Sequence, residues 1–371
     1  LHYPLRRQRQ MCIRDSIIFD DMTRVTRVAE IVPFVLEELA EAGISEDGIR
    51  FIMAVGTHGV ANRLDFEKKL GSEVVARFPV YNHSAFSNCV YVGTTSYGID
   101  ICVNAEVMSC DLKIGIGSVA PHPNTGFGGG GKIILPGVCS VETVESFHRL
   151  ESRVREKYPG KQLTGMGVFD DNPVRLNVAE AAAMVSLDMK IDCLLNERGE
   201  TAAIFAGALK PAYEAAVRVA KTHYLIPEVK DKRIVIANTF AKANEAAIVG
   251  LNSAFNAISP EGGDVVLIGN APDGQVIHYL LGSFGKTIGG NLQLRIRVPK
   301  RVNHLMVYSE YPEAMARDYF QDREKVLFMQ KWDDVVRALK EFHGDKPAVT
   351  VFPAADIQYF PGASEKHSGL F

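Results

Sequence analysis

The chain has almost no charge bias, no closely spaced cysteine pair and no long apolar run, and each lack removes a class of protein. Forty-one Lys and Arg against 44 Asp and Glu leave a net charge of -3 over 371 residues, without the basic excess that nucleic acid or an anionic membrane surface requires. Small-molecule partners are expected instead. No apolar stretch approaches the ~18 residues of a spanning helix, and the start of the chain lacks the apolar core of a secretory signal, so a cytoplasmic location is the expectation. Cys12, Cys89, Cys102, Cys110, Cys139 and Cys193 form no CxxC pair, which argues against a zinc knuckle or a dithiol redox centre. Reduced, mostly buried thiols are expected.

Hydrophobic residues are plentiful, at 47%, with 23% charged, the balance of an ordinary globular protein long enough for two cores. The opening LHYPLRRQRQMCIRDS is basic and aperiodic. Residues 1–16 are set aside as a non-native leader resembling a translated sequencing adapter, and the natural front of the first domain is expected to be missing. From Ile17 the pattern changes. IIFD reads as a buried strand, Val28 to Ala42 as a helix ending at Gly43, and RFIMAV as a second strand, a βαβ signature. Strands are predicted near Val90, Asp100 and Leu112, then a helix from Ser140 to Arg155. Beyond Lys230 a fresh alternation begins, with strands RIVIANT, DVVLIG, LMVYS, KVLFMQ and AVTVFP and helices from Ala243, near Gln275 and from Trp332. The expectation is two α/β domains with mostly parallel sheets, 17–229 and 230–371, and an active-site cleft between them.

Three polar segments follow predicted strands, where ligands collect in open α/β sheets. They are DDMTR, GTHG and PHPNTGFGGGGK. Asp21 and Arg24 can be read as a local ion pair at a helix start or as a ligand site. His58 lies on a turn, and His122 is held between Pro121 and Pro123, which restricts its backbone. Gly126 and Gly128 to Gly131 make a costly loop unless something approaches its backbone closely. Gly126 to Lys132 fits GxxxxGK, but Ile133 stands where a phosphate-binding P-loop has Ser or Thr. Lys132 therefore has two sharp readings, phosphate contact or covalent attachment through a desolvated amine.

Taken together and in order, DDMTR, GTHG and PHPNTGFGGGGKIILPGVCSVETVESFHR resemble the nickel-pincer lactate racemase family of 2-hydroxyacid racemases and epimerases. The spacing carries much of the likeness, with His122 and Lys132 ten positions apart and Lys132 and His148 sixteen. The resemblance implies that Lys132 carries pyridinium-3,5-bisthiocarboxylic acid mononucleotide, the nickel-pincer nucleotide. His148 is implied as the protein's nickel ligand, and sulfur donors with an imidazole suit square-planar nickel(II). Asp21, Thr23 and Gly128, Gly129, Gly130 and Gly131 are implied cofactor contacts, and His58 and His122 the catalytic acid/base pair. Arg24 is implied to grip the substrate carboxylate, and Lys242 is the candidate from the second domain, alongside Asn244 and Glu245. The implied partners are a 2-hydroxyacid and cofactor-synthesis proteins, with neither nucleic acid nor membrane. The competing reading is a nucleotide- or phosphometabolite-binding protein whose glycine loop holds an anion without redox chemistry.

Overall fold

The computed structural model describes residues 14–281 and 295–360. Its strands, in chain order, are β1 (Asp15–Asp20), β2 (Ile49–Ala54), β3 (Val80–Asn82), β4 (Cys89–Thr94), β5 (Asp100–Asn104), β6 (Leu112–Ser118), β7 (Pro121–His122), β8 (Gly126–Phe127), β9 (Met189–Leu195) and β10 (Thr201–Gly207) in the first half. The second half adds β11 (Ile234–Asn238), β12 (Gly263–Ile268), β13 (Val302–Tyr308), β14 (Val326–Met329) and β15 (Thr350–Phe352). Two main sheets result, ordered β10-β9-β6-β1-β2-β3 and β14-β13-β12-β11-β15. Only the β9–β10 pair is antiparallel among their pairings. This is the two-sheet α/β architecture expected from the sequence.

β1 is paired on both edges, with β2 and β6, and its Ile17, Ile18 and Phe19 are buried in cores on both faces of the sheet. Ile17 and Phe19 pack toward the helix Val28–Glu41, while Ile18 faces the opposite core with Val144 and Phe147. That helix buries Val28, Ile31, Val32, Val35 and Leu39 on one face, and its Pro33 is exposed.

β1 begins at Asp15, two residues earlier than the predicted strand, and takes in Asp15 and Ser16 from the segment set aside as leader. Asp15 pairs with Ile49 and Leu112, is fully buried, and neither of its carboxylate oxygens has a hydrogen-bond partner. Burial, then the nearby Asp111 and Asp188, raise its pKa from 3.8 to about 6. An acid raised in this way costs stability once ionised. Below pH 4 the group is protonated in both states; as pH rises toward 6 the unfolded chain releases the proton first, and stability falls by about 3 kcal/mol. Asp15→Val is therefore expected to stabilise the protein more at pH 8 than at pH 4, by about that amount, in urea unfolding at the two pH values. An equal gain at both would contradict the account.

The second half departs from the sequence reading in two places. The single helix expected from Ala243 is a 3-10 turn (Ala243–Glu245) and two short helices, Ala246–Val249 and Leu251–Ala257. Thr239 and Leu267 press against Gly250, where even a Cβ would meet the Thr239 side chain at 2.3 Å. Among the described residues, 271–281 around Gln275 form no helix. Gly274 there takes φ +83°, and the Gln275 and Val276 N–H groups donate to Glu313 and to the Asn244 carbonyl instead of closing helical turns. Trp332 starts the helix Trp332–His343 and packs edge-on against Tyr308, away from the cleft. Tyr359 returns to the first half, where its ring meets Phe127 and its N–H bonds the Tyr224 carbonyl; residues 361–371 lie outside the described residues. Among the described residues no helix is long and apolar enough to cross a membrane.

Candidate active site

DDMTR, GTHG and PHPNTGFGGGGK follow β1, β2 and β6, which are neighbours in one parallel sheet. Their carboxyl ends therefore deliver all three segments to the same rim. Asp21, Arg24, His58, His122, Lys132 and His148 line one cleft there, and Lys242, Glu245 and His278 close it from the second half of the chain. The free space enclosed between these side chains is about 130 Å³, and the cleft is open to solvent at its mouth.

Local folding explains each position. Asp21 Oδ1 accepts from the Thr23 amide at 3.1 Å and the Thr23 hydroxyl at 2.5 Å, a side-chain-closed turn that presents Arg24. His58 follows Gly56, whose φ of +54° tightens the turn after β2. His122 stands in the β7–β8 hairpin, opposite Gly126. Lys132 lies in the 3-10 turn Gly130–Ile133. His148 projects from the helix Val141–Lys157, whose N-cap Ser140 accepts from the Thr143 amide.

The hydrogen-bond partners assign the histidine tautomers. His58 Nδ1 lies 2.6 Å from Asp21 Oδ2. Burial would raise the Asp21 pKa, but His58 and then Arg24 outweigh it and hold the carboxyl below its ordinary value. An ionised carboxylate only accepts, so Nδ1 carries the proton and Nε2 offers a lone pair. His148 Nδ1 donates to the Val144 carbonyl at 2.7 Å, which again leaves the lone pair on Nε2. Burial lowers its pKa to about 4, so the ring is neutral at physiological pH, as a metal ligand must be.

His122 has the opposite arrangement. Its Nδ1 accepts from the Asn124 and Thr125 amides at 3.1 and 3.3 Å, so in the neutral ring Nε2 bears the proton. That Nε2 lies 2.7 Å from Lys132 Nζ. Burial, followed by the charges of Arg24 and Lys242, pushes the lysine pKa well down, and burial with the Lys132 charge does the same to His122. Both shifts favour the uncharged forms, in which the imidazole N–H donates to the amine, and the desolvated amine becomes a nucleophile once that contact is released.

The glycines divide into two groups. Gly128 and Gly129 line the cleft, whereas Gly130 and Gly131 do not. The Gly130 amide donates to Asp192, and a Cβ there would meet the Tyr213 ring at 2.5 Å; Gly131 packs on Val178 and Ala182. Thr23 is likewise buried behind Asp21, outside the cleft lining. Nor does the loop lead into a helix as a P-loop does. Lys132 is followed by one turn, Pro136 and then Ser140 before the next helix. Residue pattern alone did not reveal His278. Its segment docks through Gly59 N–H to the Ile277 carbonyl and Tyr279 N–H to the Thr57 carbonyl, each at 2.8 Å. The His278 ring lies 4.9 Å from that of His58 and 6.2 Å from that of His148. No motif surrounds it, so only the docking of the two halves reveals it.

Residues 5–158 match the family model of the lactate racemase N-terminal domain. Two curated proteins that the chain resembles are named lactate racemase. The chain is 25% identical over 263 residues to the lactate racemase of Lactiplantibacillus plantarum, covering 70% of this chain and 60% of that one. It is 26% identical over 199 residues to the lactate racemase of Thermoanaerobacterium thermosaccharolyticum, covering 53% and 45%. The matched stretch thus spans about half the length of these curated relatives. The solved lactate racemase apoprotein from Thermoanaerobacterium thermosaccharolyticum shares the fold, with a TM-score of 0.72, 16% identity, and coverage of 94% of this chain and 86% of that one. A crystal structure of a Thermotoga maritima protein also superposes, with a TM-score of 0.67, 20% identity, and coverage of 96% and 97%.

Proposed function

We propose that the protein is a nickel-pincer-nucleotide-dependent racemase or epimerase of a 2-hydroxyacid. The observation that carries this reading is the meeting of a desolvated amine (Lys132), an imidazole with its lone pair on Nε2 (His148) and an Asp21-oriented imidazole (His58) in one cleft. The donor set fits the cofactor. Lys132 would hold it covalently, His148 would supply the protein's metal donor, and Gly128 and Gly129 would let its body lie against the backbone. When bound, the nickel-pincer nucleotide supplies a hydride acceptor for the hydrogen on the substrate's C2.

The chain's own groups do the rest. Arg24, whose Nη1 is held by Thr23 and Glu245, would turn the rest of its guanidinium to the substrate carboxylate. His58 takes the C2 hydroxyl proton at Nε2, and Asp21 stabilises the resulting imidazolium. For His122 to act in the same way on the other face, its Nδ1 has to exchange the two amide donors for a proton. The turn from His122 to Thr125 therefore has to open during turnover.

The test uses protein made alongside the cofactor-synthesis proteins and nickel, with chiral chromatography of single-enantiomer 2-hydroxyacids. Appearance of the opposite configuration is expected. A metal-free chain with unmodified Lys132 that still binds phosphometabolites would favour the competing binding-protein reading. His148→Ala separates the ligand role from attachment: the Lys132 adduct is expected to remain while nickel content falls several-fold, and full nickel retention would remove His148 from the metal.

A further inference from the structure

Arg24 is not an open carboxylate site. Glu245 Oε2 lies 2.6 Å from Arg24 Nη1 and 3.0 Å from Lys242 Nζ, so one carboxylate from the second half joins a cation of each half across the cleft. Glu245 and Lys242 side chains are each only 5% exposed. Burial favours protonating Glu245, but Arg24 and Lys242 outweigh it and hold its pKa at about 2. The negative charge is therefore permanent in any ordinary buffer.

The surrounding charges are already matched. Asp20 is paired with Lys69, Lys190 with Asp192, and Asp21 with His58. Glu245 pairs with both cations facing the substrate end, Arg24 and Lys242, so a fixed anion already stands there, and a second substrate carboxylate would be buried beside it without a cation of its own, at a cost. The other oxygen, Oε1, stands 3.9 Å from His58 Nε2. A substrate whose C2 hydroxyl rests on that nitrogen brings the substituent on its next carbon within reach of Oε1, since vicinal hydroxyl oxygens are separated by about a hydrogen-bond length.

We infer that Glu245 determines specificity, selecting 2-hydroxyacids with a single carboxylate and a hydroxyl on C3 over dicarboxylates and over acids with a bare alkyl group. This rests on the racemase reading above and extends it to substrate class. An acceptor that must stay unpaired with an alkyl substrate discriminates against it, and a fixed anion repels a second anion.

The test compares glycerate, lactate and malate on the cofactor-loaded protein by kcat/KM, and on the cofactor-free protein by calorimetric binding. Glycerate is expected to lead lactate by about tenfold and malate by about a hundredfold. Glu245→Gln should recover malate by at least about tenfold, while Glu245→Asp, which keeps the charge, should still reject it. Malate matching glycerate in the unmodified protein, or an order unchanged by Glu245→Gln, would overturn the inference. The binding order without any turnover would sink the racemase reading alone, and turnover without the order would sink the Glu245 role alone.

Discussion

Lys132→Ala is expected to yield a protein with no mass adduct, background nickel and no racemisation. The reason is chemical: a thioamide-type tether requires an unprotonated primary amine, and the other cleft lysines are each held in an ion pair. Lys242 is paired with Glu245 and Lys190 with Asp192, whereas Lys132 faces only the Nε2–H of His122. Lys132→Arg should fail as well, because a guanidinium stays protonated beside Arg24 and Lys242 and is not a nucleophile here. The truncation leaves the His122 N–H without an acceptor, which costs about 1–3 kcal/mol of stability; peptide mass and metal content can be read on the folded fraction. Normal nickel content in Lys132→Ala would remove the tether.

His58→Ala is expected to keep both adduct and nickel while turnover falls by roughly 10² to 10⁴-fold, the usual worth of a positioned general base. Asp21→Asn tests the same unit from behind. An amide can accept or donate, so it no longer enforces the tautomer that leaves Nε2 unprotonated, and turnover should fall toward the His58→Ala level with nickel retained. Loss of nickel in either variant, equal to that in Lys132→Ala, would mean that His58 belongs to the cofactor site and not to proton transfer.

The first half of the cleft was legible because its signals are local. Apolar runs mark β1, β2 and β6, and each ends in a polar segment, so strand order alone brings Arg24, His58 and Lys132 to one rim. The spacing of Lys132 and His148 reflects the turn and helix that separate them. The division of the glycines was not legible, because five in a loop look alike until Tyr213 and Asp192 are seen against Gly130. The place of His278 beside His58 and the Arg24–Glu245 ion pair depend on contacts across more than two hundred residues, which no window of sequence contains. The helix expected near Gln275 fails for the same reason: Asn244 and Glu313 claim its amides from a distance. Asp15, a charge in the middle of a sheet, contradicts its own local pattern.

In the proposed reaction the hydrogen on C2 leaves as hydride and returns to the same carbon without meeting solvent. The most direct measurement is racemisation of a single-enantiomer 2-hydroxyacid carrying deuterium at C2, in ordinary water, with the inverted product analysed by mass. Retention of the deuterium is the predicted result. Loss of the label to solvent as the configuration inverts would mean that C2 is deprotonated by a base, and the hydride account would be wrong.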